Sequence, residues 1–411
     1  VKILVVSQYF WPETFIINDL VQCLAAQGHE IEVVTGKPNY PEGTIFEGYS
    51  AAGCSTELFS GIPVHRAPLL PRGKGGKKLL LNYLSFIVSG LFYFPRFVRK
   101  KKFDAIFVFV PSPITSVIPA IYLKWRLRAH LAVWVQDLWP ESVQATGFIQ
   151  NKHLLRLIGY LVKKIYAASD TLLVQSQKFP AVMEKYTSLE KVLYYPNLFL
   201  EPSETVSVSD KDIPADLLSD LESNKCFVFA GNLGTAQALE TLLNAAEKIA
   251  HLPQCKIILI GSGSMNDWLH QQIRQREIKN ISLPGRFQAS LMPVIYSRAT
   301  ALLVTLKKDE IFSYTIPSKV QAYLAAGRPI LAALNGEGAR VIENARAGLV
   351  SSAEDASSLA KNIEKLYYMP PAEREKLGTA GRAYFLEHFE MTKQSHRLIE
   401  ILNNKINVEV N

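Results

Sequence analysis

Cysteine is scarce in this chain of 411 residues: Cys23, Cys54, Cys226 and Cys255 stand too far apart for a CxxC zinc signature or a dense disulfide framework. They read as reduced core thiols of a cytosolic protein. HxxxH and HExxH are missing, and the single DxD, Asp210-Lys211-Asp212, sits in a polar stretch that reads as a charged linker, so no metal is expected. Low-complexity tracts are missing too, and 48% hydrophobic against 20% charged residues excludes disorder as the main state. A secretory leader is not expected, because the first residues open directly into the strand-like run Lys2 to Val6.

The length suggests two domains. The net charge of +8 is unevenly spread: residues 1 to 200 hold 22 Lys and Arg against 13 Asp and Glu, net +9, while the remainder is net −1. A basic half beside a neutral one points to an anionic partner, either nucleic acid or an anionic membrane surface. Short β-branched runs alternate with amphipathic stretches throughout, the pattern of an α/β protein with parallel sheets covered by helices. Strands are expected at Lys2 to Val6, Ile31 to Thr35, Asp104 to Val110, Leu131 to Gln136 and Thr171 to Val174. A second set falls at Cys226 to Ala230, Lys256 to Ile260, Ile281 to Leu283, Ala301 to Val304 and Pro329 to Ala333. Each set suffices for its own doubly wound sheet. The polar, Pro-bearing stretch Glu201 to Asp220 separates them, giving expected domains at 1–205 and 206–385, with a C-terminal helical segment, 386–411, that reaches back to the first domain.

In an open parallel sheet, ligands bind outside the carboxyl ends of the strands, where glycine turns and helix N-termini offer unpaired N–H groups to anions. The strongest such turn follows FVFA: Gly231 and Gly234 let a diphosphate approach the backbone, and Asn232 and Gln237 can donate neutral hydrogen bonds. A second, LIGSGS, places Gly261 and Gly263 after another strand. In IPSKVQAYLAAGRPIL, Pro317 and Ser318 start a helix with Lys319 in its first turn. Such a lysine opposes the helix macrodipole by a few tenths of a kcal/mol up to about 1 kcal/mol, which a bound anion would explain. Lys319 is therefore the best single phosphate ligand, against the alternative of a solvated surface lysine.

In the first half, Pro12, Glu13 and Thr14 lead into a helix after the first strand. Glu13 suits either a sugar hydroxyl or the commoner role of a helix-start carboxylate. After LAVWVQ come Asp137, Trp139 and Glu141, two carboxylates and an indole fit for a carbohydrate or general-base site, or for an N-cap beside a core tryptophan. Elsewhere, Arg72, Lys74, Lys77 and Lys78 precede a run of 17 uncharged residues, Leu79 to Pro95, and Arg96, Arg99, Lys100, Lys101 and Lys102 follow it. A spanning helix needs ~20 apolar residues, so this run is expected to lie in the headgroup region of an anionic membrane, with a core helix as the alternative. The glycines of RGKGGKK are no phosphate loop, since no strand precedes them and no GK[ST] follows.

Taken together, LAAQGHEIEVVT, the GNLG turn and PSKVQAYLAAGRPI resemble glycosyltransferase family 4, which has the GT-B fold, over essentially the whole chain. FWPE, KPNYPEG, GIPVHRAP and QDLWPES resemble the branch that assembles bacterial O-antigen, capsule and colanic acid, nearest to the WbuB-like N-acetyl-L-fucosaminyl transferases. The resemblance implies a retaining, metal-independent hexosyltransferase that moves a sugar from a UDP-sugar, with no cofactor, to a polyprenyl-diphosphate-linked saccharide. It further implies a peripheral, cytoplasmic location on the inner face of the cytoplasmic membrane. The donor is expected on the C-terminal domain, the acceptor on the N-terminal one, with catalysis on closure of the cleft between them. The family's paired glutamates fall here on Tyr314 and Ala322, the Arg and Lys of its phosphate turn on Asn232 and Gln237, and its acceptor-side histidine on Gln136. Cationic stabilisation therefore rests on Lys319, with Lys308 or Arg286 in support, and Glu310 is the substitute for the missing first glutamate. Asp137, Glu13 and Glu310 are the catalytic candidates; Pro12, Thr14, Trp139 and Glu141 are those for the acceptor. Two other classes stay open: a non-hydrolysing UDP-sugar 2-epimerase, also GT-B, and a non-catalytic binding protein on the same fold. Nucleic acid is disfavoured as partner, because the basic residues bracket an apolar run instead of alternating with stacking aromatics.

Overall fold

The computed structural model describes residues 1–145, 147, 149–201 and 212–410, which divide into two compact units, Val1–Leu198 with Met391–Asn411, and Phe199–Glu390. The first unit opens with β1 (Lys2–Ser7), α1 (Ile16–Ala26), β2 (Glu30–Thr35), β3 (Ser55–Phe59) and β4 (Ile62–Arg66). It continues through α2 (Gly76–Phe97), β5 (Ala105–Val110), α3 (Ile118–Leu127), β6 (His130–Val135), α4 (Glu141–Ala145), α5 (Lys152–Ala168), β7 (Thr171–Val174), α6 (Phe179–Met183) and β8 (Val192–Tyr194). The sheet order is β3-β4-β2-β1-β5-β6-β7-β8, parallel throughout except for the β3–β4 hairpin. β5 and β6 are buried at every position, as strands covered on both faces must be.

The second unit runs α7 (Ala215–Ser223), β9 (Lys225–Ala230), α8 (Leu239–Lys248), β10 (Cys255–Ile260), α9 (Asn266–Gln275), β11 (Ile281–Gly285), α10 (Met292–Arg298) and β12 (Ala301–Thr305). Next come α11 (Glu310–Ser313), α12 (Ser318–Ala325), β13 (Ile330–Ala333), α13 (Glu337–Asn344), β14 (Gly348–Ser351), α14 (Ala356–Tyr368) and α15 (Pro371–His388). Its six parallel strands are ordered β11-β10-β9-β12-β13-β14. The last helix, α16 (Met391–Val410), belongs to the first unit, where the Tyr195 hydroxyl donates to the Gln394 carbonyl and the Gln27 amide to Ser395 Oγ. In both sheets the chain winds outward in two directions from one strand pair, β1/β5 and β9/β12, and these reversals mark the places where parallel sheets open a ligand crevice.

Four strands escape the sequence pattern: β3, β4, β8 and β14. The β3–β4 hairpin turns on Ser60-Gly61, both at positive φ (50° and 83°), a two-residue turn signal that was present in the sequence. The expected domain limits at 205 and 385 compare with unit edges at Leu198 and Glu390. Within the expected linker, α7 already begins at Ala215, while Asp210 and Lys211 of the DxD lie outside the described residues. The cysteines are all free, but the core reading holds only for Cys226 and Cys255; Cys54 is exposed because it sits in the loop before the edge strand β3.

The helix that carries the uncharged run is longer than the run's 17 residues, because α2 extends over 22, from Gly76 in the basic loop past Pro95 to Phe97. Among the described residues it is the one helix long and apolar enough to cross a membrane by length and composition. One stripe of it, Asn82, Phe86, Gly90 and Phe94, is nevertheless buried at a spacing of four residues against the first unit. Gly90 lets α2 press on α3: a Cβ there would stand 2.7 Å from Pro119 Cγ. Gly90→Val should therefore lower the thermal midpoint of the first unit, at a cost of about 1–3 kcal/mol. Differential scanning calorimetry checks this, with Gly159→Ala, another helical glycine where an added Cβ meets nothing nearer than 3.4 Å, as the uncrowded comparison.

Candidate functional site

The carboxyl rim of the second sheet gathers most of the residues expected for the donor. After β9 the backbone turns at Gly231 (φ 140°), and after β10 at Gly261 (φ 143°), conformations that side chains with a Cβ rarely adopt. The two turns interlock. Gly231 N donates to the Ile260 carbonyl (2.9 Å), Leu233 N to Ser262 (3.0 Å) and Gly261 N to Gly285 (2.9 Å). A Cβ on Gly261 would overlap the Gly231 carbonyl, and one on Gly263 would overlap the Leu233 carbonyl and the Asn232 side chain, so glycine is a packing requirement at both. Gly234 lies against the Asn232 amide. Beside these turns opens a cavity of about 500 Å³, lined by Gly231, Asn232, Gly261 and Ser262 on one side and by Arg286, Phe287, Met292 and Tyr296 on the other.

Lys319 reaches this rim from the first turn of α12, a helix with Pro317 at its N-cap position and Ser318 exposed at its first residue. Its ammonium hydrogen-bonds Gln237 Oε1 and lies 3.7 Å from the centroid of the Phe229 ring; its Cε is 3.0 Å from where a Gly231 Cβ would stand. Burial pushes its pKa down to about 7, because a desolvated ammonium has only an amide oxygen and a ring face to replace water. Gln237 is held in turn by its carbonyl, which accepts from Thr305 Oγ1 (2.5 Å). Lys307 N donates to the Ala236 carbonyl (3.0 Å), tying the segment after β12 to the same turn. Glu310 follows it, exposed, with one oxygen accepting from the Tyr314 hydroxyl. Lys308 is exposed as well, and its backbone N–H is spent on Glu354.

The rim of the first sheet corrects several expectations. Glu13 is 2% exposed, and its two oxygens accept from three backbone N–H groups: Asn39 and Tyr40 (both 2.7 Å) and Phe10 (3.0 Å). It braces the loop after β1 against the loop after β2 and is not free to meet a sugar. Burial raises its pKa to about 7 against the lowering effect of those bonds. Glu141 is likewise committed, to the Tyr186 hydroxyl (3.0 Å) and to Lys185, because α4 packs next to the segment following α6. Pro12 and Trp139 are half-buried and Thr14 is exposed, all three in rim loops.

Asp137 keeps its candidacy. It is half-buried at the end of β6, no hydrogen bond to its carboxylate is found among the described residues, and burial raises its pKa to about 6. The charge of Asp137 is felt by Tyr83, as is that of Arg72. Arg72 was expected with the membrane cations, yet its guanidinium stacks 5.1 Å from the Tyr40 ring and its backbone N–H donates to Asn39 Oδ1 (2.9 Å), so it belongs to this rim. Lys101 is tied to Glu32 (2.7 Å), whereas Lys74, Lys77, Lys78, Arg99, Lys100 and Lys102 are exposed.

Comparison with known proteins agrees with this geometry. Residues 15–185 match the model of the glycosyl transferase 4-like domain, and residues 224–368 that of glycosyl transferases group 1. The chain is a glycosyltransferase of the GT-B fold. The enzyme is 25% identical over 344 residues to WcaI of Escherichia coli K12, named for colanic acid biosynthesis, covering 79% of this chain and 81% of that one. It is 24% identical over 250 residues to the glycosyltransferase WbjE of Pseudomonas aeruginosa, 60% of each chain. Among solved structures, Anabaena HepE in complex with UDP superposes with a TM-score of 0.70 at 15% identity, over 98% of this chain and 100% of that one.

Sequence reasoning missed the aromatic parts of both rims in this glycosyltransferase: Phe229 under Lys319, Phe287 and Tyr296 in the cavity, and Tyr9 and Tyr83 near Arg72. Their spacing carries no signal of its own; Phe229, Phe287 and Tyr9 stand at or just after strand ends, whereas Tyr83 and Tyr296 lie within helices and carry no such mark. Gly261→Ala should lower the thermal midpoint of the second unit while leaving the far-UV circular dichroism unchanged, because the added methyl pushes the Gly231 turn out of register.

Proposed function

We propose that the enzyme transfers a hexosyl group, with retention and without a metal ion, from a UDP-sugar to a polyprenyl-diphosphate-linked saccharide in surface polysaccharide assembly. N-acetyl-L-fucosamine is the sugar we put first. The observation that carries this reading is the Lys319 ammonium set against the Gly231 turn with no carboxylate among the described residues on it, since a desolvated cation beside glycine amides suits a diphosphate. HepE, described in complex with UDP, supports the choice of nucleotide. WcaI supports the polysaccharide context by its name.

In the proposed step the bond between the anomeric carbon and the β-phosphate oxygen breaks, and its electron pair leaves with UDP. The amides of the Gly231 and Gly261 turns and the ammonium of Lys319 meet the growing negative charge with fixed dipoles and one cation. The acceptor hydroxyl oxygen bonds to the anomeric carbon on the face that UDP leaves, and the Asp137 carboxylate takes its proton. Glu310, steadied by Tyr314, orients the donor sugar, and the cavity beside Arg286 and Tyr296 takes the nucleoside. The first unit carries the acceptor and touches the inner face of the cytoplasmic membrane through the cations flanking α2.

A panel of UDP-sugars incubated with a synthetic lipid diphosphate saccharide, with the product anomer read by NMR, tests this. Lys319→Met should reduce kcat/KM by roughly 10²–10³-fold, the range of a lost charge-stabilising group. Asp137→Asn should remove the acid limb of the pH profile: Asp137 is ionised only above about 6, so wild-type rate falls below that pH as the base is protonated. Transfer with inversion, or no transfer from any UDP-sugar, would overturn the proposal.

A further inference from the structure

The alternation of β1, β5 and β6 divides the first unit into two faces. Ile3, Val5, Phe107 and Trp134 join the core under α1 and α16, so Leu4, Val6, Ile106 and Val133 point to the other side, where α2, α3 and α5 pack. Those three helices differ from the rest in charge. They contain three, two and four Lys or Arg residues respectively, and no Asp or Glu at all, whereas α1 carries Asp19 and α16 carries Glu400. Asp170, just beyond α5, is answered by Lys124.

Their outward sides are also where the chain leaves apolar surface uncovered. On α2 the stripe Leu80, Leu84, Val88 and Phe92 is exposed opposite the buried one, with the Arg96 guanidinium 3.6 Å from the centroid of Phe92. On α5, Leu155, Gly159, Val162 and Tyr166 face inward while Leu154, Leu157 and Tyr160 face out, 42%, 62% and 59% exposed, between Lys152, Arg156, Lys163 and Lys164. Trp125, at the end of α3, is 76% exposed and borders a groove of about 550 Å³ shared with Arg128 and Ala168. Isolated exposed leucines are ordinary, but an apolar surface carried on adjacent helices that hold cations and no carboxylate of their own is not.

We infer that this whole helix layer docks flat on an anionic phospholipid bilayer, with α5 and the Trp125 indole forming a second contact beside α2. Lysines and arginines alongside the apolar stripes reach the phosphates, leucines enter the acyl boundary, and the indole and Tyr160 sit at headgroup level, as amphipathic aromatics do. A protein partner would be expected to place at least some cations opposite its own acids and some acids opposite its cations; a surface of one sign over three helices matches a surface of the other sign throughout. The inference deepens the membrane-associated reading above, which rests on α2 alone.

Co-sedimentation of the full chain with vesicles of phosphatidylcholine containing phosphatidylglycerol, beside pure phosphatidylcholine, tests it with two double variants. Leu157→Glu with Tyr160→Glu, and separately Leu84→Glu with Val88→Glu, should each weaken binding to the anionic vesicles by about tenfold or more. UDP affinity, read on the same samples, should stay at the wild-type value and shows that each variant is folded. Brominated lipid should quench part of the tryptophan emission, and that part should vanish in Trp125→Phe. Wild-type retention of binding by the α5 variant, or no Trp125-dependent quenching, overturns the α5 contact and leaves the α2 reading standing. No binding by the wild type overturns both. A wild type that sediments as a dimer in velocity runs and becomes monomeric in the α5 variant assigns the face to a second copy and overturns the lipid proposal.

Discussion

The donor side of this enzyme depends on a lysine kept without a carboxylate. Lys319 lies over an aromatic ring with, among the described residues, a single amide oxygen as its hydrogen-bond partner, and that arrangement is unfavourable for a cation unless something anionic arrives. An acidic neighbour would have stabilised the empty site and, for the same reason, competed with a diphosphate. The glycines follow from the same demand. To bring backbone amides and the ammonium together, the turns after β9 and β10 must pass within van der Waals contact of one another, which leaves no room for a Cβ at Gly261 or Gly263, while Gly231 is required by its positive φ beside the lysine stem.

The acceptor side is organised differently. There the charged groups with the most burial, Glu13 and Arg66, are spent on holding loops: Glu13 gathers three amides, and Arg66 hydrogen-bonds the Gly36 and Trp11 carbonyls and pairs with Glu57. Rigid loops at the ends of β1 and β2 then leave Asp137 as the carboxylate of that rim with no hydrogen bond among the described residues, beside a cluster of tyrosines and Arg72. A scaffold fixed by buried charge and a reactive group kept out of that network is a sensible division of labour, because a group already paired cannot change protonation cheaply.

Much of this was legible in the chain. The ten β-branched runs became strands because buried parallel strands have no polar face to disguise them, and the Gly231 and Lys319 segments announced themselves by glycine after a strand and by a cation in a helix's first turn. What stayed hidden was mostly tertiary. The bond between Lys319 and Gln237 joins residues 82 apart, and that between Glu13 and Asn39 joins residues 26 apart; local spacing holds neither. Glu13 and Glu141 looked chemical because an acid after a strand reads the same whether it faces ligand or backbone. The edge hairpin β3–β4 was missed because exposed and buried residues alternate there without the apolar run that marks a central strand.

The claim that Lys319 waits for a diphosphate is tested most directly by proton uptake. A UDP-sugar carries a diphosphate diester that does not itself titrate near neutrality, so calorimetry at pH 8 in buffers of different ionisation enthalpy counts protons taken up by the protein. With a free lysine of pKa about 7, mostly neutral at that pH, the account predicts uptake approaching one proton per molecule bound, and none in Lys319→Met. Binding at pH 8 with no proton uptake by the wild type, or with the same uptake in the variant, would contradict it.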